Sequence, residues 1–202
     1  MSSNREPIYK IVVAGNSGAG KTSAILRFCN HNTRNTNTAP TIGTDFYAKT
    51  TIVQSVQVKL QIWDTPGQET YRTLAKQTCR FAKGIALFFD VTKRDSFTDL
   101  TNWIDTLKEI LPYPDITPIV IFGNKCDLSE FRTVSEKEAR EFAEKHNCQY
   151  FQTSAETGEN IEEAFLKVAN LIADYDKNPL QHQSDPKSVD VKETTTNQRN
   201  CC

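Results

Sequence analysis

One eight-residue segment constrains the fold of this chain more than any other feature. It matches the pattern G-x-x-x-x-G-K-[ST] with Gly15, Asn16, Ser17, Gly18, Ala19, Gly20, Lys21 and Thr22. A short apolar run, Ile8 to Ala14, precedes the segment, and a helix is predicted from Lys21 to Phe28. Because glycines let backbone N–H groups converge on an anion, the pattern predicts a phosphate-binding loop between a strand and a helix.

Two side chains of this loop suit a nucleoside triphosphate that is bound with magnesium. Lys21 supplies a positive charge for the β and γ phosphates, and the amino end of the following helix adds its dipole. Thr22 offers a hydroxyl to Mg²⁺, and Ser23 follows it as a further predicted nucleotide contact. The loop by itself leaves the base, the reaction and the partner open.

Strands and helices alternate along most of the chain. Six strands are predicted, over residues 8–14, 45–53, 56–63, 84–91, 118–122 and 149–152. Apolar residues at helical spacing predict amphipathic helices around residues 97–107, 139–146 and 161–172. We therefore expect a three-layer α/β fold with a six-stranded, mostly parallel sheet flanked by helices, and ligands at the carboxyl ends of its strands.

Composition excludes several classes of function. The 202 residues include 24 Lys and Arg against 25 Asp and Glu, and this balance argues against nucleic acid as a partner. The longest apolar run, Ile85 to Phe89, is far shorter than the ~18 residues of a membrane span. The N-terminus, Met1 to Pro7, lacks the apolar core of a secretory signal. No Cys-x-x-Cys pair occurs, so neither a disulfide framework nor a zinc site is predicted.

The character of the sequence changes near its carboxyl end. Lys177 to Asn200 shows no apolar periodicity and is rich in Asn, Gln, Ser and Thr. Residues 176–202 carry as many basic as acidic side chains. We therefore predict a folded domain over residues 1–175 and a disordered, neutral tail over residues 176–202.

A second candidate segment follows the third predicted strand. Asp64 directly follows that strand and can hold Mg²⁺ through water. The N–H of Gly67 can approach a γ-phosphate, and the amide of Gln68 can orient an attacking water. Taken alone, Asp-Thr-Pro-Gly is also an ordinary turn, and its position after a phosphate loop is what favours a role in the site.

Two more loops indicate the base. Asn124, Lys125 and Asp127 follow a buried strand, and a carboxylate there can accept hydrogen bonds from N1–H and the amino group of guanine, whereas adenine presents the wrong pattern. Ser154 and Ala155 follow the next strand at the same edge, where their N–H groups can meet the guanine O6. An isolated Asn-Lys-x-Asp is also compatible with a plain polar loop.

These four loops, in this order, resemble those of the small GTPases of the Ras superfamily over about residues 8–175. The resemblance is closest to the Rab family. It includes Ser17 in the phosphate loop, the segment Thr41-Ile42-Gly43-Thr44-Asp45-Phe46, and the segment Lys59-Leu60-Gln61-Ile62-Trp63-Asp64-Thr65. The resemblance implies that residues near 30–46 and 65–80 are switches, ordered by the γ-phosphate and released on hydrolysis.

The resemblance also implies the chemistry of a GTPase, in which GTP is hydrolysed to GDP with Mg²⁺ as cofactor. Thr22, Thr41 and Asp64 would hold the metal, while Lys21, Thr41 and Gln68 would be catalytic. The implied partners are a GTPase-activating protein, an exchange factor, a GDP-dissociation inhibitor or escort protein, and effectors. Phe46 and Trp63 are candidates for an effector surface, and core packing is the alternative interpretation of both. We expect a monomer.

Three residues depart from the family pattern. Pro66 replaces the usual Ala before Gly67, and proline fixes φ and removes an N–H. The first switch holds no aromatic residue against the base, and Arg34, which can stack on a base, is nearest to that position. Glu156 replaces the usual Lys after Ser-Ala and is included, with Arg34, among the predicted nucleotide contacts. Because the first switch lacks that aromatic residue, we expect faster nucleotide exchange than in a typical Rab.

The chain ends in two cysteines, Cys201 and Cys202. On a Rab-like domain such a pair implies lipidation by geranylgeranyl groups, and two lipid chains give stable anchoring where one gives only marginal binding. The expected location is the cytoplasmic face of an intracellular membrane, in exchange with the cytosol.

The function that we predict from the sequence is a Rab-like GTPase that acts as a membrane-anchored switch in vesicle transport. One alternative is a GTP-binding module that recruits effectors but hydrolyses GTP poorly because of Pro66. Another is a metabolic P-loop kinase, which needs an acceptor site and usually an Arg-bearing lid; the sequence reveals neither.

Overall fold

The computed structural model describes residues 6–29, 45–66 and 78–177. Its six strands are β1 (Ile8–Gly15), β2 (Asp45–Val53), β3 (Val56–Asp64), β4 (Gly84–Asp90), β5 (Ile119–Asn124) and β6 (Gln149–Gln152). Its helices are α1 (Lys21–Phe28), α2 (Arg94–Thr98), α3 (Leu100–Ile110), α4 (Glu136–Lys145) and α5 (Ile161–Lys177).

The six strands form one sheet in the order β2-β3-β1-β4-β5-β6. Strand β2 pairs with β3 in the antiparallel direction, and the other neighbouring strands are parallel. The predicted α/β fold with a six-stranded, mostly parallel sheet flanked by helices is therefore confirmed.

The central strands are apolar on both faces because helices cover the sheet from both sides. Along β1, Ile11 and Val13 belong to one core cluster, whereas Val12 and Ala14 belong to the other. Strand β3 alternates instead, with Val58, Leu60 and Ile62 buried and the residues between them more exposed. The alternation that the sequence predicted for this strand is thus present.

Aromatic rings fill the core beneath α1 and α5. The rings of Phe28 and Phe165 stack with centroids 4.6 Å apart, and those of Phe88 and Phe122 stack at 4.4 Å. The ring of Phe165 also lies 5.1 Å from that of Phe122. The helix that supplies Phe165 is therefore packed directly against the two central strands.

Helix α3 packs on the opposite face of the sheet. Its buried residues Leu100, Ile104 and Leu107 match the predicted amphipathic stripe. One continuous helix around residues 97–107 was predicted, but the structure has α2 and α3 meeting at Asp99. Apolar spacing alone does not show such a junction, because Phe97 and Leu100 are both buried on the same side.

The carboxyl ends of the five parallel strands meet at one edge of the sheet. These ends are aligned, because Val13 of β1 pairs with Asp64 of β3, and Asp90 of β4 pairs with Asn124 of β5. Strand β5 runs two residues beyond its predicted end and carries Asn124 as its last residue. This edge is where the site predicted from the sequence should lie.

The segments 30–44, 67–77 and 178–202 lie outside the described residues. The predicted switches fall largely in the first two of these segments, and most of the predicted tail falls in the third. Asp176 and Lys177, which the sequence assigned to the tail, are the last two residues of α5. Within the described ranges, no helix is both long and apolar enough to cross a membrane.

Candidate functional site

Two glycines shape the predicted phosphate loop, which runs from β1 to α1. Gly15 has φ 127°, and a Cβ there would lie 2.1 Å from the carbonyl oxygen of Phe88. Gly20 has φ 85°, and a Cβ there would lie 2.2 Å from Nδ2 of Asn124. Both positions therefore require glycine for backbone conformation and for space. Ser17 and Gly18, at the top of the loop, are exposed.

The ammonium group of Lys21 lies inside the loop. Nζ donates to the carbonyl oxygens of Gly15 and Asn16, both at 2.9 Å. Burial lowers the pKa of Lys21 to about 8, and the negative charge of Asp64 partly opposes this shift. A buried cation surrounded by backbone groups is what a phosphate-binding loop needs.

Two oxygen donors suited to magnesium meet beside this lysine. Thr22 Oγ1 donates to Asp64 Oδ2 at 2.5 Å, and Asp64 is fully buried at the end of β3. A hydroxyl and a carboxylate are hard oxygen ligands of the kind that Mg²⁺ prefers. No group of three His, Cys, Asp or Glu side chains fit to hold a metal occurs within the described ranges. The donor set fits a magnesium ion that takes its other ligands from water and phosphate, as is usual for Mg²⁺.

Asn124 connects the phosphate loop to the predicted base-binding loops. Its Nδ2 donates to the carbonyl oxygen of Ala19 at 2.8 Å. Its Oδ1 accepts from the Ala155 N–H at 3.0 Å and from Thr153 Oγ1 at 3.5 Å. The sequence predicted Asn124 and Ala155 as nucleotide contacts, but it did not predict that they bond to each other.

The predicted guanine-binding carboxylate is held by a hydroxyl from the neighbouring loop. Ser154 Oγ donates to Asp127 Oδ1 at 2.5 Å, while Asp127 itself remains exposed. One side chain of the β6 loop thus orients the carboxylate of the β5 loop. Glu156, which the sequence included among the nucleotide contacts, is exposed beside them.

Lys125 pairs with a carboxylate that the sequence analysis missed. Its Nζ lies 2.7 Å from Oδ2 of Asp90, the buried last residue of β4. Burial would raise the pKa of Asp90, but hydrogen bonds from Lys125 and Thr92 outweigh burial and hold that pKa below its ordinary value. The signal was available, because Asp90 ends a strand at the same edge as Asp64.

Two further contacts fix the surroundings of the site. Thr65 Oγ1 donates to the carbonyl oxygen of Val13 at 2.6 Å and ties the chain after β3 to β1. Arg27 of α1 donates to the carbonyl oxygen of Thr157 at 2.6 Å and braces the loop that follows β6. Neither contact has a local signal in the sequence.

The site predicted from the sequence is only partly described. Lys21, Thr22, Asp64, Asn124 and Asp127 come together at one edge of the sheet, at the start of α1 and at the ends of β3 and β5. Other predicted site residues lie outside the described residues, namely Arg34, Thr41, Gly67, Gln68, Cys201 and Cys202. The described part can hold a phosphate chain, a hard cation and a base with adjacent donors.

The proposed effector residues are also placed. Phe46 on β2 is 48 % exposed, which excludes the core-packing alternative for this side chain. Its ring lies 5.3 Å from that of Trp63 on β3, which is half-buried. The two rings form an aromatic patch on the outer strands, next to the site.

Comparison with known proteins gives the class of protein that this fold and site define. The family model described as the Ras family matches residues 10–174. Ras-related protein Rab-13 of Bos taurus is 34 % identical over 203 residues, which cover 100 % of this chain and 98 % of the relative. Rab-4 of Dictyostelium discoideum is 40 % identical over 169 residues, with 83 % and 81 % covered. Rab-1 of Theileria parva is 41 % identical over 168 residues, with 83 % and 75 % covered.

The chain is thus a small GTPase, a hydrolase that acts on GTP. It belongs to the Ras family and, within it, to the Rab proteins.

Proposed function

We propose that this protein is a Rab-type switch that cycles between GTP and GDP on an intracellular membrane and regulates vesicle transport. The observation that carries the proposal is the convergence of Lys21, Thr22, Asp64 and Asp127 at one edge of the sheet, with Asn124 linking the phosphate loop to the base loops. These are the groups that a guanine nucleotide with magnesium requires.

In the proposed reaction, water attacks the γ-phosphate in line and GDP leaves. The loop N–H groups hold the phosphates, and the ammonium of Lys21, which now bonds to Gly15 and Asn16, neutralises charge on the β and γ phosphates. Thr22, Thr41 and Asp64 would hold Mg²⁺, which supplies further neutralisation of the phosphate oxygens when bound. Gln68 would orient the water, and the N–H of Gly67 would sense the γ-phosphate.

Regulation follows from the same parts. We expect slow intrinsic hydrolysis, because the sequence offers no obvious arginine of its own to stabilise the charge of the transition state. A GTPase-activating protein would then accelerate hydrolysis by supplying such a group in trans. An exchange factor would release GDP, and effectors would bind the aromatic patch of Phe46 and Trp63 in the GTP state. With Arg34 in place of an aromatic on the base, we expect GDP release to be faster than in other Rabs.

The first test of the function is to purify the protein with magnesium and identify the nucleotide that it releases on denaturation. GDP would support a working hydrolase at the end of its cycle. GTP would indicate poor hydrolysis. Release of an adenine nucleotide would contradict the proposal and favour the metabolic kinase instead. Release of no nucleotide would also contradict the proposal.

A second candidate function rests on Pro66, which is buried directly after Thr65. Proline restricts the backbone where the second switch begins, and this restriction favours a module that binds GTP but hydrolyses it poorly. Single-turnover hydrolysis by Pro66→Ala and by the native chain distinguishes the two candidates. An increase of tenfold or more on substitution favours the module, and equal rates favour the hydrolase.

Membrane attachment is proposed to depend on lipids at Cys201 and Cys202. Two prenyl chains are needed, because the neutral tail adds no electrostatic attraction to anionic lipids. Replacing both residues, Cys201→Ser and Cys202→Ser, should move the protein from membranes to the cytosol, as measured by cell fractionation. Cys29→Ser, a half-buried thiol in the folded domain, is the matched control and should leave the distribution unchanged.

A further inference from the structure

The side chain of Asn16, in the phosphate loop, is held from helix α3. Nδ2 of Asn16 donates to Oδ2 of Asp99 at 2.6 Å, and Oδ1 accepts from Nε1–H of Trp103 at 2.7 Å. The partners lie 83 and 87 positions later in the chain. Only one orientation of the amide satisfies both bonds, since Asp99 can only accept and the indole can only donate.

The backbone of the same residue contacts the buried lysine. The carbonyl oxygen of Asn16 accepts from Nζ of Lys21 at 2.9 Å. The position of Asn16 therefore affects where the ammonium lies. Asn124 holds the second half of the loop through Ala19, and Asn16 holds the first half through α3.

The anchor on α3 is rigid. Asp99 immediately precedes the helix, and Leu100 and Ile104 on either side of Trp103 are buried in the core. Trp103 packs against the same core cluster. A side chain that is fixed by the core can hold a loop in one conformation before the ligand arrives, and such preorganisation strengthens binding and catalysis.

We propose that Asp99 and Trp103 are positioning residues that hold the phosphate loop, through Asn16, in the conformation that binds the β and γ phosphates. This inference rests on the proposed function, because it assigns the loop to a bound guanine nucleotide. Neither residue touches the nucleotide in this scheme. They act through Asn16 on the loop backbone and on Lys21.

The test swaps the amide and the carboxylate of the Asn16–Asp99 pair. Asn16→Asp alone sets two carboxylates against each other at hydrogen-bond distance, and we expect GDP to dissociate at least about tenfold faster. Asn16→Asp combined with Asp99→Asn restores one donor and one acceptor and leaves the net charge unchanged. The loop carboxylate can then accept from both the amide at position 99 and the indole of Trp103. We expect the GDP dissociation rate to return to within about threefold of the native rate.

A third variant isolates the indole N–H. Trp103→Phe keeps an aromatic ring in the core but removes the donor, and we expect GDP dissociation to be about threefold to tenfold faster. Asn147→Asp adds the same charge as Asn16→Asp at an exposed position before β6, on the opposite edge of the sheet, and should leave the rate unchanged. Melting temperatures at saturating GDP report whether each variant is folded.

Rescue by the double exchange separates positioning from a general loss of structure, because the double variant carries more changes than the single one. If the double variant releases GDP as fast as Asn16→Asp alone, or if Trp103→Phe matches the native chain, the inference is wrong. If the native chain binds no guanine nucleotide, the proposed function fails and the inference fails with it. If the native chain binds guanine nucleotide normally but the double variant does not restore the GDP dissociation rate, the inference is wrong while the proposed function still stands.

Discussion

At the residue scale, the site depends on positions where only one residue type fits. Gly20 and Gly18 both lie in the phosphate loop with positive φ, 85° and 74°. They differ in space: a Cβ on Gly20 would meet Nδ2 of Asn124 at 2.2 Å, whereas among the described residues the nearest atom to a Cβ on Gly18 would be Lys93 Nζ, at 3.9 Å. The pair therefore separates steric cost from conformational cost.

We predict that Gly20→Ala weakens GDP binding by about tenfold to a hundredfold, because it displaces the amide that links the phosphate and base loops. The loss of GDP affinity in Gly18→Ala should be at least about tenfold smaller than in Gly20→Ala, since Gly18→Ala introduces backbone strain without the close contact to Asn124. Titration with a fluorescent GDP derivative measures both affinities. Equal losses in the two variants would show that contact with Asn124 is not the cause.

Three buried thiols should be unreactive in the folded protein. Burial, as the largest cause in each case, raises the pKa of Cys79, Cys126 and Cys148 to about 11. At pH 8 only about one in a thousand of each would be the reactive thiolate, and this fraction rises about tenfold per pH unit up to the pKa.

We predict that a chain with Cys201→Ser and Cys202→Ser reacts slowly with a thiol reagent at pH 8, and faster as pH rises towards 10. The same chain in denaturant should react rapidly at pH 8, because the pKa values return to those of free cysteine. Colorimetric thiol titration follows the reaction, and Cys29→Ser removes the contribution of the half-buried thiol. Fast labelling that does not change with pH would contradict the prediction.

At the element scale, the sequence was informative where a pattern is local. Short apolar runs, together with alternation in β3, located all six strands, and the spacing of apolar residues located the stripe of α5. The junction at Asp99 and the extra length of β5 were missed, because both depend on packing against distant strands. Leu171 lies within the helix predicted around residues 161–172, and its apolar side chain is only half-buried, at the edge of the buried stripe of α5.

The candidate site was predictable as a set of motifs but not as a network. Motif spacing predicted Lys21, Asp64 and Asp127 as site residues, because the chemical task proposed for each requires its residue type. The bonds of Asn16 to Trp103 and of Arg27 to Thr157 join elements far apart in sequence, and no periodicity encodes them. Such contacts follow from strand order, which brings these ends to one edge.

The loops after β5 and β6 should act as a unit, because Ser154 Oγ donates to Asp127 and also accepts from the N–H of Thr157. We predict that Ser154→Ala weakens GDP binding about threefold to thirtyfold by leaving the carboxylate poorly oriented. The same substitution should also reduce the preference for GTP over ATP in competition assays, since Asp127 is the residue proposed to recognise guanine.

The matched control is Ser135→Ala, which removes a hydroxyl that accepts from the N–H of Glu138 at the start of α4. Its loss should reduce the free energy of unfolding by about 1 kcal/mol without changing nucleotide selection. If Ser154→Ala and Ser135→Ala have the same affinity for GDP, the Ser154–Asp127 bond does not orient the carboxylate.

At the scale of the whole molecule, the sheet joins two cores that support the site from below. The core under α1 and α5 holds Phe28, Phe88, Phe122 and Phe165, while the core under α3 holds the residues that flank Trp103. The phosphate loop begins on β1, which contributes side chains to both cores. The loop is therefore fixed to the most buried part of the fold, although its top is exposed.

Phe165 links the helix layer to the sheet, and its loss should have a large effect on stability. The side chain is fully buried, and its ring lies within 4.6 Å of Phe28 and 5.1 Å of Phe122, measured between centroids. We predict that Phe165→Ala reduces the free energy of unfolding by about 3–5 kcal/mol, through lost burial and the cavity that remains. That is a large share of the roughly 5–15 kcal/mol that stabilises a typical domain.

Urea unfolding measures this difference, with GDP and magnesium at the same saturating concentration for every variant, because bound ligand adds to the apparent stability. Phe81→Ala provides the control, since Phe81 is 71 % exposed and its loss should cost no more than about 0.5 kcal/mol. The slope of the transition should remain unchanged if both variants unfold in two states. A loss at Phe165 as small as that at Phe81 would mean that the helix layer relaxes into the space, and that the aromatic cluster does not hold α5 against the sheet.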